Sequence, residues 1–281
     1  MKREPCLALQ KKRSPKMTIP FGRKQFGKDF IIIAGPCSVE NSAQLLRIAR
    51  KLKTMGVDGL RGGAFKPRTS PYDFQGLGIE ALKYLAAARQ ETGLPVVTEI
   101  MDTRDVDLGC RYADMIQIGS RNMHNFALLK EVGKIRKPVL LKRGMQATLL
   151  EWLNAAEYVL AGGNTQVVLC ERGIRTFESS TRFSLDLNIV PAARQRTCLP
   201  IIVDPSHGTG RSDLIESMSL ASVAAGAQGL LIEVHPRPEK ALTDNNQQYP
   251  LSRFPSLVDK IRRLASLVES FKADQTAANR R

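Results

Sequence analysis

From residue 31 onward the chain repeats one pattern eight times: a short apolar run, then polar or glycine-rich residues, then a stretch with helical spacing. The runs are residues 31–34, 59–65, 95–100, 115–118, 138–142, 167–170, 201–203 and 229–234. They are continuous rather than alternating, as parallel strands covered on both faces require. The intervening stretches 41–55, 78–92, 122–132, 148–161 and 213–225 are amphipathic; in the first, Leu45, Leu46, Ile48, Ala49 and Leu52 fall on one helical face. Eight strand–helix units predict an α/β fold, a TIM (β/α)8 barrel closed by a last helix over residues 256–271. A doubly wound open sheet is the alternative, but no GxGxxG follows the first run. The 281 residues suit a single barrel. We read residues 1–28 as a basic N-terminal extension, 29–272 as the catalytic barrel and 273–281 as a polar C-terminal tail.

The net charge of +15, from 42 Lys+Arg against 27 Asp+Glu, suits anionic partners. Residues 1–30 carry nine bases and two acids, so +7 of that charge lies largely outside the barrel. An aromatic content of 6% without a base-stacking motif argues against nucleic acid as the partner. The five cysteines are odd in number and unclustered, which predicts free thiols and a reducing, cytoplasmic setting. The N-terminus has no apolar region of signal-peptide length and no run approaches 18 apolar residues, so neither secretion nor a membrane partner is expected.

TIM barrels build their active sites at the C-terminal strand ends. There the sequence places Gly-Pro-Cys37-Ser, Arg61 through Lys66, Arg68, Thr69 and Ser70, then Glu99, then Ser120-Arg121, Lys142, Arg172, Asp204-Pro-Ser-His207 and Glu233-Val-His235. Arg61, Lys66, Arg68, Arg121, Lys142 and Arg172 would share one mouth, where like charges repel unless an anion fills it. Bidentate guanidinium groups and compact ammonium charges suit small phosphorylated acids. Cys37, His207 and Glu233 end neighbouring strands of a closed barrel, with Asp244 in the loop beyond. This mixed soft and hard donor set suits Mn, Fe or Zn better than Mg or Ca, and is unlike the paired cysteines of a structural zinc site. Lys66 or Lys142 could instead form a Schiff base, which would leave the donor set unexplained. His124 reads as a surface or capping residue and His235 as a ligand-orienting or packing one. No Gly-x-Ser-x-Gly is present, so a serine nucleophile is not indicated. A non-catalytic phosphate sensor would need the bases but not the donor set.

The motifs IAGPCSVE, RGGAFKPRTSPYDFQGLG, VTEIMD, QIGSRNMHN, LLKRG, CERGIRTFE, VDPSHGTGR and GLLIEVHP, in this order over about residues 30 to 255, resemble those of the 3-deoxy-D-arabino-heptulosonate 7-phosphate (DAHP) synthase family. The resemblance is to the short class related to 3-deoxy-D-manno-octulosonate 8-phosphate synthase. It implies a divalent metal ion (Mn, Fe, Zn or Co) on Cys37, His207, Glu233 and Asp244. It also implies phosphoenolpyruvate carboxylate near Arg61 and Lys66, its phosphate near Ser120, Arg121, Lys142 and Arg172, the second substrate near Arg68, Thr69 and Ser70, and Glu99 bridging polar contacts. Lys66, His207 and Cys37 are the implied catalytic set. Lys-Pro-Arg-Thr-Ser at 66–70, where the octulosonate enzymes have Asn-Arg-Ser-Ser, implies erythrose 4-phosphate rather than arabinose 5-phosphate. The sequence departs from the family at residues 242–249, at Ser120 where alanine is common, and at Asp73 and His124. A homo-oligomer, dimer or tetramer, is also implied, and no feedback inhibition by aromatic amino acids is expected.

Overall fold

The structure, a computed structural model, describes residues 7–9, 17–68 and 70–278, with side chains through Phe271. Eight parallel strands alternate with helices in the expected order. A hairpin of β1 (Ile19–Phe21) and β2 (Lys24–Phe26) precedes β3 (Ile31–Gly35), α1 (Ser42–Thr54), β4 (Gly59–Arg61), α2 (Ile79–Thr92), β5 (Val96–Glu99) and α3 (Val106–Tyr112). Then come β6 (Met115–Ile118), α4 (Phe126–Val132), β7 (Val139–Lys142), α5 (Leu149–Ala161), β8 (Val167–Glu171), α6 (Ile189–Arg194) and β9 (Ile201–Val203). The chain ends with α7 (Pro205–Thr209), α8 (Ile215–Ala224), β10 (Gly229–His235), the short β11 (Tyr249–Pro250) and α9 (Phe254–Ala278).

Strands β3 to β10 pair in sequence order, and β10 returns to β3 over five residue pairs from Gly229↔Ile31 to Glu233↔Gly35. A single pair, Leu230↔Val203, joins β9 to β10 and completes the cylinder. The result is a closed TIM barrel.

Alternation along each strand sorts the apolar residues into two cores. Ile32, Leu60, Val96, Ile116, Val139, Val167, Ile201 and Leu230 face outward into the helices. Ile31, Ile33, Val97, Met115, Leu140, Val168, Cys170, Ile202 and Leu231 face inward and pack with Ile19, Phe21 and Phe26 of the hairpin. The two phenylalanine rings lie 5.1 Å apart and stopper the barrel from below. A Cβ on Gly59 would come within 2.5 Å of the Phe21 ring, so the stopper seats against a strand that leaves it room.

The helices show why local sequence sets their ends. Thr148 caps α5 in a capping box with Glu151, while Trp152, Leu153, Ala156 and Val159 face the core. Asn41 caps α1 through its side chain, and Leu45, Ile48, Ala49 and Leu52 are buried.

Three expectations change. The run 59–65 stays extended only to Arg61, because Gly62 and Gly63 turn the chain where a Cβ would meet Val39 and the Cys37 carbonyl. Residues 19–26 of the N-terminal extension form the hairpin stopper, so the charge of that segment does not lie wholly outside the barrel. The last helix starts at Phe254 and runs to Ala278, into the residues read as a tail. Cys37, Cys110, Cys170 and Cys198 are free thiols, whereas Cys6 lies outside the described residues. Among the described residues no helix is long and apolar enough to cross a membrane.

Candidate active site

A polar cavity of about 150 Å³ opens at the C-terminal strand ends, lined by Lys66, Arg68, Glu99, Ser120, Arg121, Lys142, Arg172, His207 and Asp244 among others. Arg182, Phe183, Met145 and Asp73 complete its wall.

At one side the candidate metal ligands stand in two pairs. Cys37 Sγ lies 3.5 Å from Asp244 Oδ2, and His207 Nε2 lies 3.5 Å from Glu233 Oε1. Lys66 Nζ donates to both members of the first pair, at 2.7 Å to Cys37 Sγ and 2.8 Å to Asp244 Oδ2. The buried Arg61 guanidinium is paired with Glu233. Among the described residues no group of three or more His, Cys, Asp or Glu is spaced to hold a metal ion. Their chemistry nevertheless fits one: a thiol, an imidazole and two carboxylates are gathered around Lys66 and Arg61, and the ring and one carboxylate are held from behind. Asp204 Oδ2 lies 2.7 Å from His207 Nδ1, which leaves Nε2 toward Glu233, while Gln247 Nε2 donates to Glu233 Oε2 at 2.7 Å. A carboxylate behind a histidine is how proteins orient an imidazole ligand.

Burial and charge set the protonation of this group. Burial, reinforced by Glu233, pushes the Cys37 thiol up to about 12, against the pull of Lys66 and Arg61. Burial brings His207 down to about 4 despite the Asp204 carboxylate. For Glu233 burial works upward, but His207, Arg61 and Lys66 outweigh it and hold it at about 2. Asp244 likewise overcomes burial and lies well below the usual carboxylate range beside Lys66. Burial would lower Lys66, yet Cys37, Glu233 and Asp244 raise it above an ordinary lysine.

The other cations of the cavity are less compensated. Lys142 Nζ donates to Asp204 Oδ2 at 2.5 Å. Arg121 and Arg172, by contrast, have no carboxylate partner among the described residues. The Arg172 guanidinium lies 4.0 Å from the Phe183 ring centroid and donates to the Gly173 carbonyl at 3.4 Å. Burial, with Arg182 nearby, lowers it to about 10. Ser120 Oγ is buried without a partner, as is Arg61 Nε. Free donors and unpaired guanidinium groups facing one cavity make an anion site.

The remaining expected residues divide. Glu99 accepts from Gln117 Nε2 at 3.0 Å and lines the cavity beside Gly119, where a Cβ would lie 2.1 Å from its carboxylate. Arg68 bonds Asp73 at 3.0 and 3.1 Å and lies 3.8 Å from Asp244. Ser70 turns to accept from the Tyr72 amide at 3.3 Å and is not part of the cavity wall. Thr69 lies outside the described residues. His124 is exposed in the turn before α4, whose cap is Asn125, and His235 faces Gln44 at 2.8 Å rather than His207. Arg182, Gln247 and the orienting role of Asp204 were not expected from the strand-end residues. Only Asp204 carried a local signal, an Asp followed by Pro at a helix start.

Comparison with known proteins gives this arrangement its context. The chain is 52% identical over 236 residues to a phospho-2-dehydro-3-deoxyheptonate aldolase of Thermotoga maritima, covering 84% of this chain and 70% of that one. It is 31% identical over 271 residues to a 2-dehydro-3-deoxyphosphooctonate aldolase of Geobacter sulfurreducens, covering 89% and 98%. The crystal structure of the Thermotoga maritima DAHP synthase superposes with a TM-score of 0.92 at 48% identity, over 95% of this chain and 78% of that chain. A profile of the DAHP synthetase I family matches residues 14–269, and with these likenesses it shows that the chain belongs to that family.

Proposed function

We propose that the chain condenses phosphoenolpyruvate with erythrose 4-phosphate and water, giving DAHP and inorganic phosphate. The observation that carries this reading is one cavity lined both by the unpaired Arg121 and Arg172 and by His207 and Asp244, which are paired with the buried Glu233 and Cys37. Erythrose 4-phosphate is favoured as acceptor because Lys66-Pro-Arg68-Thr69-Ser70 keeps the heptonate pattern and the 52% identical relative bears the heptonate name.

In this reading Arg61 and Lys66 bind the carboxylate of phosphoenolpyruvate. Ser120, Arg121, Lys142 and Arg172 hold its phosphate, and the acceptor is received at Arg68, with Thr69 and Ser70 in the loop that follows it. The methylene carbon attacks the aldehyde, water adds to the carbon that bears the phosphate, and the phosphate leaves into the cationic wall. Lys66, protonated and central, delivers a proton to the acceptor oxygen, while the guanidinium groups stabilise the departing charge. Glu99 orders the polar contacts between the two ends. Cys37, His207, Glu233 and Asp244 would hold a divalent ion (Mn, Fe, Zn or Co), which when bound supplies Lewis acidity toward the aldehyde. Cytoplasmic residence and a homo-oligomer, dimer or tetramer, belong to the same reading; free thiols support the first and the family membership the second.

Phosphate release from phosphoenolpyruvate, followed with each aldose phosphate, tests the reaction. Turnover with erythrose 4-phosphate that a chelator abolishes and a divalent ion restores is the expected result. Preferred use of arabinose 5-phosphate would overturn the acceptor, and full chelator-resistant activity in Cys37→Ala would overturn the metal.

A further inference from the structure

A second cavity, of about 640 Å³, lies between α1 and the chain leaving β10. Its size is within the range of small-molecule pockets. The loop over residues 236–248 separates it from the first cavity: Arg237 and Lys240 line the second, Asp244 the first.

The charge of this cavity is unspent. Arg47 and Lys51 of α1 face Arg237 and Lys240, and none of the four has an ion-pair or side-chain hydrogen-bond partner among the described residues. Arg50 is already engaged with Glu91. The acid of the cavity, Glu40, is consumed from within: it accepts from Gln44 Nε2 at 3.0 Å and from the Leu242 amide at 2.9 Å, and lies 3.6 Å from the buried His235. Four free cations around one hollow attract an anion, and a single negative charge would leave most of them uncompensated. Guanidinium and ammonium groups together recognise carboxylate and phosphate oxygens.

The same contacts tie the hollow to the first site. The Leu242 amide rests on Glu40, Thr243 Oγ1 lies 2.9 Å from Ser38 Oγ, and Gln248 bonds both the Thr243 carbonyl and the Cys37 amide. Asp244 and Gln247 are carried between these anchors.

We infer that this cavity is a second binding site for a small organic polyanion bearing two or more carboxylate or phosphate groups, and that its occupant adjusts the setting of Asp244. The second half rests on the proposed function of that loop; the first does not.

The test uses the full chain saturated with phosphoenolpyruvate and titrated in a calorimeter with fructose 1,6-bisphosphate or, separately, tricarballylate, so that the two arms distinguish phosphate from carboxylate. Saturable binding of either probe, weakened roughly tenfold or more in Arg47→Ala/Lys240→Ala, is the expected result, since charge-assisted contacts of this kind are each worth over a kilocalorie. That double variant keeps its basal kcat and KM, and the probe shifts the acceptor KM of the unaltered chain only. Lys51→Ala/Arg237→Ala repeats the test through the other two cations, and matching melting temperatures show that both variants fold. Absence of binding, binding indifferent to both double variants, or displacement of the probe by phosphoenolpyruvate would overturn the site. Binding without a kinetic effect overturns the coupling alone, and calorimetry reads the site even if the chain proves not to catalyse the condensation.

Discussion

Arg172 is buried against Phe183 with a peptide carbonyl as its hydrogen-bond acceptor, and burial lowers its pKa although Asp204 pulls the other way. Leaving a buried charge without an ion-pair partner is costly, which is why the proposed function gives this side chain a phosphate to bind. Arg172→Ala should raise the KM for phosphoenolpyruvate by about 10- to 100-fold, the equivalent of a charge-assisted hydrogen bond worth about 1.5–3 kcal/mol, in steady-state assays. Asp204 acts through His207 and Lys142. Asp204→Asn should weaken divalent-metal affinity about 10- to 100-fold, the usual effect of losing an orienting partner, as read by metal-buffer titration; unchanged affinity would count against the ligand role of His207. The orienting role of Asp204 and the place of Arg182 did not stand out in the sequence, although Arg182 lies 3.5 Å from Asp244 and 2.9 Å from Gln247. Their importance is made by partners 62 and 65 positions away in the chain. Residues such as Lys66 and His207 were legible because each lies in the few residues after a strand and is of a type, base or imidazole, that carries chemistry by itself.

At the scale of elements, the hairpin does more than its length suggests. Two strands of three residues each do not make an independently stable unit; this pair is held by Phe21 and Phe26 against the inward faces of β3, β5, β6 and β7. Phe26→Ala should lower unfolding stability by about 3–5 kcal/mol, the range for a fully buried ring, measured by denaturant titration. Gly59→Ala should also destabilise, because its Cβ meets the Phe21 ring, and pairing it with Phe21→Leu should recover part of the loss. The eight barrel strands were readable because a strand covered on both faces has an unbroken apolar run. The hairpin was not: Pro20, Gly22, Arg23 and Lys24 interrupt any alternation, and only the barrel interior reveals where Ile19, Phe21 and Phe26 point. Helix ends were legible where a cap advertised them, as at Asn41 and Thr148, and not at α9, whose polar continuation carries no stop signal.

For the molecule as a whole, the cylinder has one thin seam. β10 shares five residue pairs with β3 but a single pair with β9. Backbone amides flanking Val203 and Leu230 should therefore exchange with solvent sooner than those pairing β10 with β3, in native-state hydrogen exchange. Equal protection on both sides of β10 would show that the seam is held by other means, such as the Gln228 amide on the Ile201 carbonyl at 2.8 Å. The eightfold repeat announced the cylinder, but register, and hence the seam, depends on how neighbouring strands shift along one another, which no single strand records.

The phenylalanine stopper has a consequence for traffic. A barrel closed below is a blind well with one mouth, so reactants and products share a single doorway. Whichever substrate lies deeper must enter before the other, and it cannot leave while the shallower one is in place. Where two substrates share the well, the order of arrival and departure then follows depth rather than affinity, and the packed strand interior, with the hairpin beneath it, is what denies them a second exit.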